Sequence, residues 1–312
     1  MGTAIAKLNA AETTEREHGW RSEVAGFVYQ LRRSPLVIIG IVTVVLWVLI
    51  SLVAPVIAPV EPLTQDVASR LQAPGFTKTI ELDDTEQTFR HLLGTDELGR
   101  DIYTRVIYGG RITIPAGLAV ITFGSLVGTL IGALSGYIGG IWDDIIMRFA
   151  ELFLAFPTII LALAVSAALG PDIRNAILAL VVVWWPTYAR LVRGLVLELR
   201  NQEYVEAARA SGANDVYILF SVILPNAIAP AIVLATLDIG NAILTFAGLS
   251  FLGLGAEPSS PEWGRMVAIG VDFFSQWWMW LFPGLAIASL VMAFNFIGDG
   301  LRDIADPRTR KS

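Results

Sequence analysis

From Leu36 to Ile57 the chain runs for about 22 residues without one charged side chain, and about 20 apolar residues carry an α-helix across a bilayer. Five more apolar runs follow, at Ile112–Tyr137, Ile145–Leu169, Ala176–Leu191, Ile228–Leu252 and Trp278–Gly298. Hydrocarbon offers no partner to a backbone N–H or C=O, so such segments must satisfy themselves as helices. The expectation is an all-α integral membrane protein with six transmembrane helices. Composition agrees: 54% of residues are hydrophobic and 16% charged, with a mean hydropathy of +0.62, far too apolar for a soluble domain of this length.

The first run starts late, is long and is followed by further spans, so it reads as an uncleaved helix rather than a signal peptide. Arg32 and Arg33 precede it and place the N-terminus in the cytoplasm. Six spans return the C-terminus to that side. The chain divides into a cytoplasmic segment 1–35, a first helix 36–57, an extracytoplasmic loop 58–111, a five-helix core 112–298 and a cytoplasmic tail 299–312. Fourteen of the 22 basic residues fall on the cytoplasmic side in this arrangement, the asymmetry expected of a cell-membrane protein.

Most chemistry is excluded. The three lysines, Lys7, Lys78 and Lys311, do not follow a glycine, so no phosphate-binding loop of the G-K-[ST] kind exists. No serine sits in G-x-S-x-G. The chain has no cysteine, and its two histidines, His18 and His91, form no zinc motif; His91 reads as a solvated loop residue. No catalytic residue, metal ligand or cofactor is expected, and the chain is not an enzyme. With a net charge of −6 it has no basic surface for nucleic acid.

Within the apolar runs, ionisable groups are nearly absent. Asp238 stands near the middle of the fifth, with Asn241 close by and Asn295 on the sixth. These three read either as the polar wall of a translocation path or, for Asp238, as a carboxyl facing the bundle interior. A carboxylate at mid-membrane costs about 2.5–3.5 kcal/mol on insertion scales. Gly124, Gly128, Gly132, Gly136 and Gly140 recur every fourth residue in the second run and predict close packing, within the chain or against a sister subunit. Pro157, Pro186 and Pro230 each sit within or near a span and can kink it, more as packing devices than as hinges.

The polar stretch Asn201–Pro225 interrupts the second half. Its first part places Tyr204, Val205, Ala207, Ala208 and Ala210 among charges and ends at Gly212, a common helix stop. Its second part begins after Asn214 or Asp215, puts Val216, Phe220 and Ile223 at helical spacing, and stops at Pro225. The pattern Glu206-Ala207-Ala208, then Gly212, then Val222-Ile223-Leu224-Pro225 resembles the EAA loop of ATP-binding-cassette importer permeases, with Val222 where isoleucine is usual. That resemblance implies an importer type I permease fold, in which residues 193–225 form a cytoplasmic coupling loop. Glu206, Ala207, Ala208 and Gly212 would dock on an ATPase, with Leu224 and Pro225 fixing the exit.

Four further stretches, His91–Arg111, Gly136–Pro157, Leu249–Met266 and Gly298–Arg310, resemble the dipeptide/oligopeptide branch and its C-type subunit. The resemblance implies a second, B-type permease, two ATP-binding subunits and an extracytoplasmic solute-binding protein as partners, with di- or oligopeptides as cargo. Nickel, an oligosaccharide or another small solute is the alternative cargo, and an ion-driven secondary transporter the alternative class; a membrane hydrolase lacks any nucleophile–base pair. Two departures fall on the fifth span: Phe246, where many members carry glutamate, and Asp238, where a small residue is common. From the residues alone, Gly94-Thr95-Asp96 reads as a turn and cap, Ile102–Tyr108 as a short helix on the membrane surface, and Pro261–Gly264 as an interfacial turn with a tryptophan anchor. Trp277, Trp278 and Trp280 read as an aromatic belt.

Overall fold

The computed structural model describes residues 34–82 and 85–305. The N-terminal segment before residue 34 and the last seven residues, with most of the basic residues that orient the chain, lie outside the described residues. Helix α1 spans Pro35–Ile57, opened by a proline whose missing N–H costs nothing at a helix start. A 3₁₀ turn at Val67–Ser69 and an antiparallel hairpin, β1 Phe76–Leu82 and β2 Thr85–His91, follow. Phe76 pairs with His91 in register. Five helical segments come next: α2 Ile102–Ile138, α3 Gly140–Leu154, α4 Thr158–Leu169, α5 Ile173–Leu199 and α6 Glu203–Ala210. Then come α7 Asp215–Phe251, α8 Trp263–Asp272 and α9 Trp277–Ala305.

Five of these helices are long and apolar enough to cross a membrane, and α3 with α4, bent by 95° at their junction, adds a sixth where the pair is counted as one span. The fold is thus the helical, six-span architecture expected, with a β-hairpin added in the first loop. The third span is broken at Pro157, one of the prolines placed where a span can kink. Pro157 sits at the break as the cap of α4, and proline disfavours helical geometry in the residue before it.

The second span begins at Ile102, ten residues before hydropathy placed it, so Ile102–Tyr108 is not a surface helix. Charges conceal this start. Asp101 caps the helix by accepting from Thr104 N at 2.7 Å. Arg105, only 1% exposed, is satisfied inside: it donates to the carbonyls of Pro62 at 3.1 Å, Ser259 at 3.2 Å and Ser260 at 2.9 Å. A guanidinium so paired can be buried at tolerable cost.

The glycine repeat packs inside the chain. Trp184 lies beside Gly124, Trp185 and Tyr188 beside Gly128, Ala189 beside Gly132, and Arg193 and Val196 beside Gly136. All of these partners stand on α5, so small residues let the α2 and α5 backbones close on one another. Gly140 leaves the stripe: at φ +65° it opens α3, with nothing near a Cβ.

The first loop is a built structure. Thr95 Oγ1 donates to Ser69 O at 2.6 Å and accepts from Gln72 N, while Trp278 Nε1 donates to Thr95 O at 3.1 Å. Gly94 takes the turn at φ +81°; the helix cap is Asp101 and not Asp96. Asp96 binds Arg100. His91 is 5% exposed and pairs with Asp101 at 2.9 Å, so it is not solvated. Trp263 is fully buried with its Nε1 on Val106 O at 2.8 Å. Glu262, also buried, caps α8 by accepting from Gly264 N and Arg265 N. Pro261–Gly264 is a core joint between α7 and α8 rather than an interfacial anchor. Of the tryptophans expected in a belt, Trp278 is buried and Trp277 exposed.

Candidate functional site: the α6–α7 junction and the mid-span polar groups

Helix α6 ends as its sequence demands. Gly212 adopts φ +83°; its N–H bonds Arg209 O at 3.0 Å and the N–H of Ala213 bonds Ala208 O at 3.2 Å. This pair of bonds is a Schellman ending, which only a residue tolerant of the left-handed region makes without strain. Asn214 then caps α7, its Oδ1 accepting from Tyr217 N at 2.8 Å. Two turns of chain are thereby fixed at an angle set by one glycine.

One residue anchors α6. Val205 is fully buried among Val192, Val196, Ile218 and Ile223, so the opposite face points away. Glu206, Ala207 and Gly212 are exposed, and Ala208 is half-buried against the same cluster. Sequence reasoning placed these residues together and named Val205 on the helix, but did not single it out as the buried anchor that orients them.

The start of α7 departs from expectation. Ile218–Ile223 is a π-helical stretch, and Leu224 N bonds Leu219 O five residues back. The helix does not stop at Pro225; it continues to Phe251. A proline removes one N–H and its ring crowds the carbonyl four residues earlier, and a widened turn absorbs both. The insertion also rotates the face. Ile218, Leu219 and Ile223 are buried, whereas Val216 and Phe220 are exposed. Tyr204, Val216, Tyr217 and Phe220 form exposed large side chains around α6, a surface signature of contact with another molecule. Leu224 is half-buried and Pro225 exposed.

Polar bonds tie this junction to the spans. Tyr137 at the end of α2 donates to Asp215 Oδ1 at 2.6 Å, and Arg200 Nη1 donates to Gly136 O at 2.9 Å. Arg193 grips Asp143 of α3 with both arms, Nε on Oδ1 and Nη2 on Oδ2, each at 2.6 Å. Ser135 donates to the same carboxylate. The sequence offered no signal for this cluster beyond isolated charges.

Asp238 lies near the middle of α7 and faces α5, where Tyr188 Oη at 3.0 Å and Trp184 Nε1 at 3.3 Å both donate to Oδ2. Asn241 is exposed. Asn295 of α9 is exposed and packs over Gly240. At about 100° per residue, Gly240 stands almost opposite Asp238, so Asp238 and Asn295 are not brought together. Phe246 is fully buried between α2, α5 and α7.

Comparison with known proteins assigns the class. Residues 128–311 match the binding-protein-dependent transport system inner membrane component family, and residues 24–74 the N-terminal membrane domain of oligopeptide transport permease C. The dipeptide transport system permease protein DppC of Escherichia coli is 42% identical, covering 91% of this chain and 93% of its own. The same-named protein of Haemophilus influenzae is 40% identical over 91% and 95%, and that of Alkalihalophilus pseudofirmus 41% over 90% and 88%. A chain of the inward-facing MetNI methionine ABC transporter shares the fold, with a TM-score of 0.52 at 22% identity, covering 66% of this chain and 98% of that one. A second crystal form of that transporter gives 0.51 over 65% and 97%.

The chain belongs to the family of binding-protein-dependent transport system inner membrane components. It is a multi-span permease subunit of an ATP-binding-cassette importer, a pathway and not a catalyst, with ATP hydrolysis carried by separate subunits. Such a permease works with ATPases, a binding protein and a second permease.

Proposed function

We propose that this permease imports di- or oligopeptides, with α6 as the element through which ATPases drive it. The exposed face of α6, held out by Val205 and ended at Gly212, carries this reading. Glu206 and Ala207 are the docking contacts, and Gly212 serves docking through the turn that ends α6. Ala208 contributes from the rim, packed toward Ala213, and Leu224 and Pro225 hold the exit through the widened first turns of α7. The small side chains of Ala207 and Ala210 let a partner surface approach, and Glu206 and Arg209 offer charge-assisted bonds at its edge. Both termini and α6 face the cytoplasm; the hairpin side faces outward and receives the binding protein. The assembly is one such chain, one B-type permease and two ATP-binding subunits. Asn241, exposed on a spanning helix where lipid would leave an amide unsatisfied, lines the path beside Asp238, while Asn295 lies on the other side of α7 and is not part of that wall.

ATP hydrolysis that pulls on α6 would move α2 and α5 with it through Tyr137–Asp215 and the Val205 cluster, rocking the bundle as a unit. The peptide cargo is carried over from the curated relatives, whose sequences align over nearly the whole chain. The test is uptake of labelled dipeptide into vesicles holding the four-part complex and its binding protein. ATP-dependent uptake that is lost with a Glu206→Arg change supports both parts. Uptake of a metal ion or oligosaccharide but not of peptide would replace the cargo, and uptake by this chain alone on an ion gradient would overturn the mechanism.

A further inference from the structure

Asp238 is the one carboxylate among the described residues that stands near the centre of an unbroken spanning helix, and its surroundings are incomplete. Both donors that reach it, Tyr188 and Trp184, bind the same oxygen, Oδ2. No hydrogen bond or ion pair reaches Oδ1 among the described residues, and that atom is not one of the sealed, unpartnered ones, so it opens to the surface of the subunit. Two neutral donors fix the direction of a carboxylate but bring no charge to balance it. Hydrocarbon makes an unbalanced carboxylate costly, and an amide in its place could accept the same two bonds at lower cost.

The donors are themselves rigid. Tyr188 is fully buried and Trp184 nearly so, both packed against the glycines of α2, so the carboxylate is oriented before any ligand arrives. Such fixed geometry lowers the ordering cost of binding. One turn along α7, the exposed Asn241 offers a second acceptor from the same side, since residues three apart are neighbours on a helix. An outward carboxylate oxygen beside a neutral amide, with aromatic rings behind, suits a protonated amine, which has three donors and a positive charge.

We propose that Asp238 is a binding station for the ammonium group of the translocated solute, its Oδ1 accepting an N–H bond while Tyr188 and Trp184 hold Oδ2. The assignment rests on the reading of this face as path wall and needs a solute that bears an ammonium group, but not that the solute be a peptide.

The purified complex in detergent is treated with dicyclohexylcarbodiimide, which modifies protonated carboxyls in apolar surroundings, and the adduct at Asp238 is quantified by peptide mass. n-Butylammonium, by pairing with the ionised carboxylate, should slow the adduct at least about fivefold, while n-butanol of the same size should not. Equal protection by both compounds, or by neither, overturns the proposal. Absence of any adduct even in acid, where carboxyls take up a proton, overturns it too, because Oδ1 is then covered in the assembled complex. Since no peptide is present, the peptide reading stands or falls separately, on the uptake measurement.

Discussion

Tyr137 closes α2 with a 2.6 Å bond to Asp215, and those two residues join the glycine-packed α2–α5 pair to the first turn of α7. The bond is exposed, so it contributes little to folding; exposed charge-assisted contacts are worth on the order of 0–1 kcal/mol. Its place between a span and α6, the element proposed to dock, gives it another use. We expect Tyr137→Phe to leave the melting temperature of the complex nearly unchanged. Peptide transported per ATP hydrolysed should fall several-fold, because force applied at α6 reaches α2 less directly. Measuring uptake and hydrolysis together in vesicles checks this; an unchanged ratio would remove the bond from the drive train.

Helical glycines on the same two helices should behave oppositely. A methyl on Gly132 would run into the Ala189 backbone, whereas one on Gly194 meets nothing within 4 Å. Gly132→Ala therefore forces α2 from α5, and overpacking of this kind costs about 1–3 kcal/mol. Gly194→Ala should be neutral or stabilising by up to about 1 kcal/mol, the helix-propensity gain. Thermal unfolding of the two variants in one detergent measures the difference, and equal melting temperatures would mean that the backbones are not held at the distance described.

The loop carries a pH dependence. Burial, and then the neighbouring Asp96, raise the Glu97 carboxyl above its ordinary value. The folded state therefore holds a proton, between the ordinary and the raised value, that the unfolded chain has released. Stability from this group is fully present below the ordinary glutamate value and is lost as pH rises through the raised one. Burial likewise raises Glu262, against its bonds from Gly264 and Arg265. Glu97→Gln should thus be relatively more stable at neutral pH and lose its advantage towards pH 4. Melting curves of wild type and variant that stay parallel from pH 4 to 8 would contradict the shift.

What could be read in the sequence divides by physical range. Six spans, the α6 stop at Gly212 and the Asn214 cap depend on residues within one or two turns, and they were legible. The start of α2 was not, because Arg105 is made tolerable by carbonyls from Pro62, Ser259 and Ser260, more than forty residues away in one direction and about 150 in the other. His91 and Trp263 were misread for the same reason, since their partners Asp101 and Val106 become neighbours only after the loop folds. The stretch from Glu206 to Pro225 was legible as a motif, but the outward turn of Val216 and Phe220 was not. That turn comes from the π-helical insertion at Ile218–Ile223, which breaks the period on which helical faces are counted.

Gly212 offers the cleanest separation of shape from contact at the proposed docking element. Its φ of +83° excludes most side chains, yet a Cβ there meets nothing within 4 Å. Substitution therefore costs backbone strain alone, about 1–2 kcal/mol for an ordinary residue and less for asparagine. Gly212→Asn should keep the Schellman ending and much of the uptake, whereas Gly212→Val should open it, swing α6 about Val205 and abolish coupling while the spans still assemble. Gly212→Asp should fall between them, because aspartate tolerates the left-handed region but adds a charge beside the docked surface. Uptake per assembled complex, ranked across the three variants, is the measurement. A ranking by side-chain volume or charge without regard to left-handed tolerance would place the role of Gly212 in direct contact rather than in the turn.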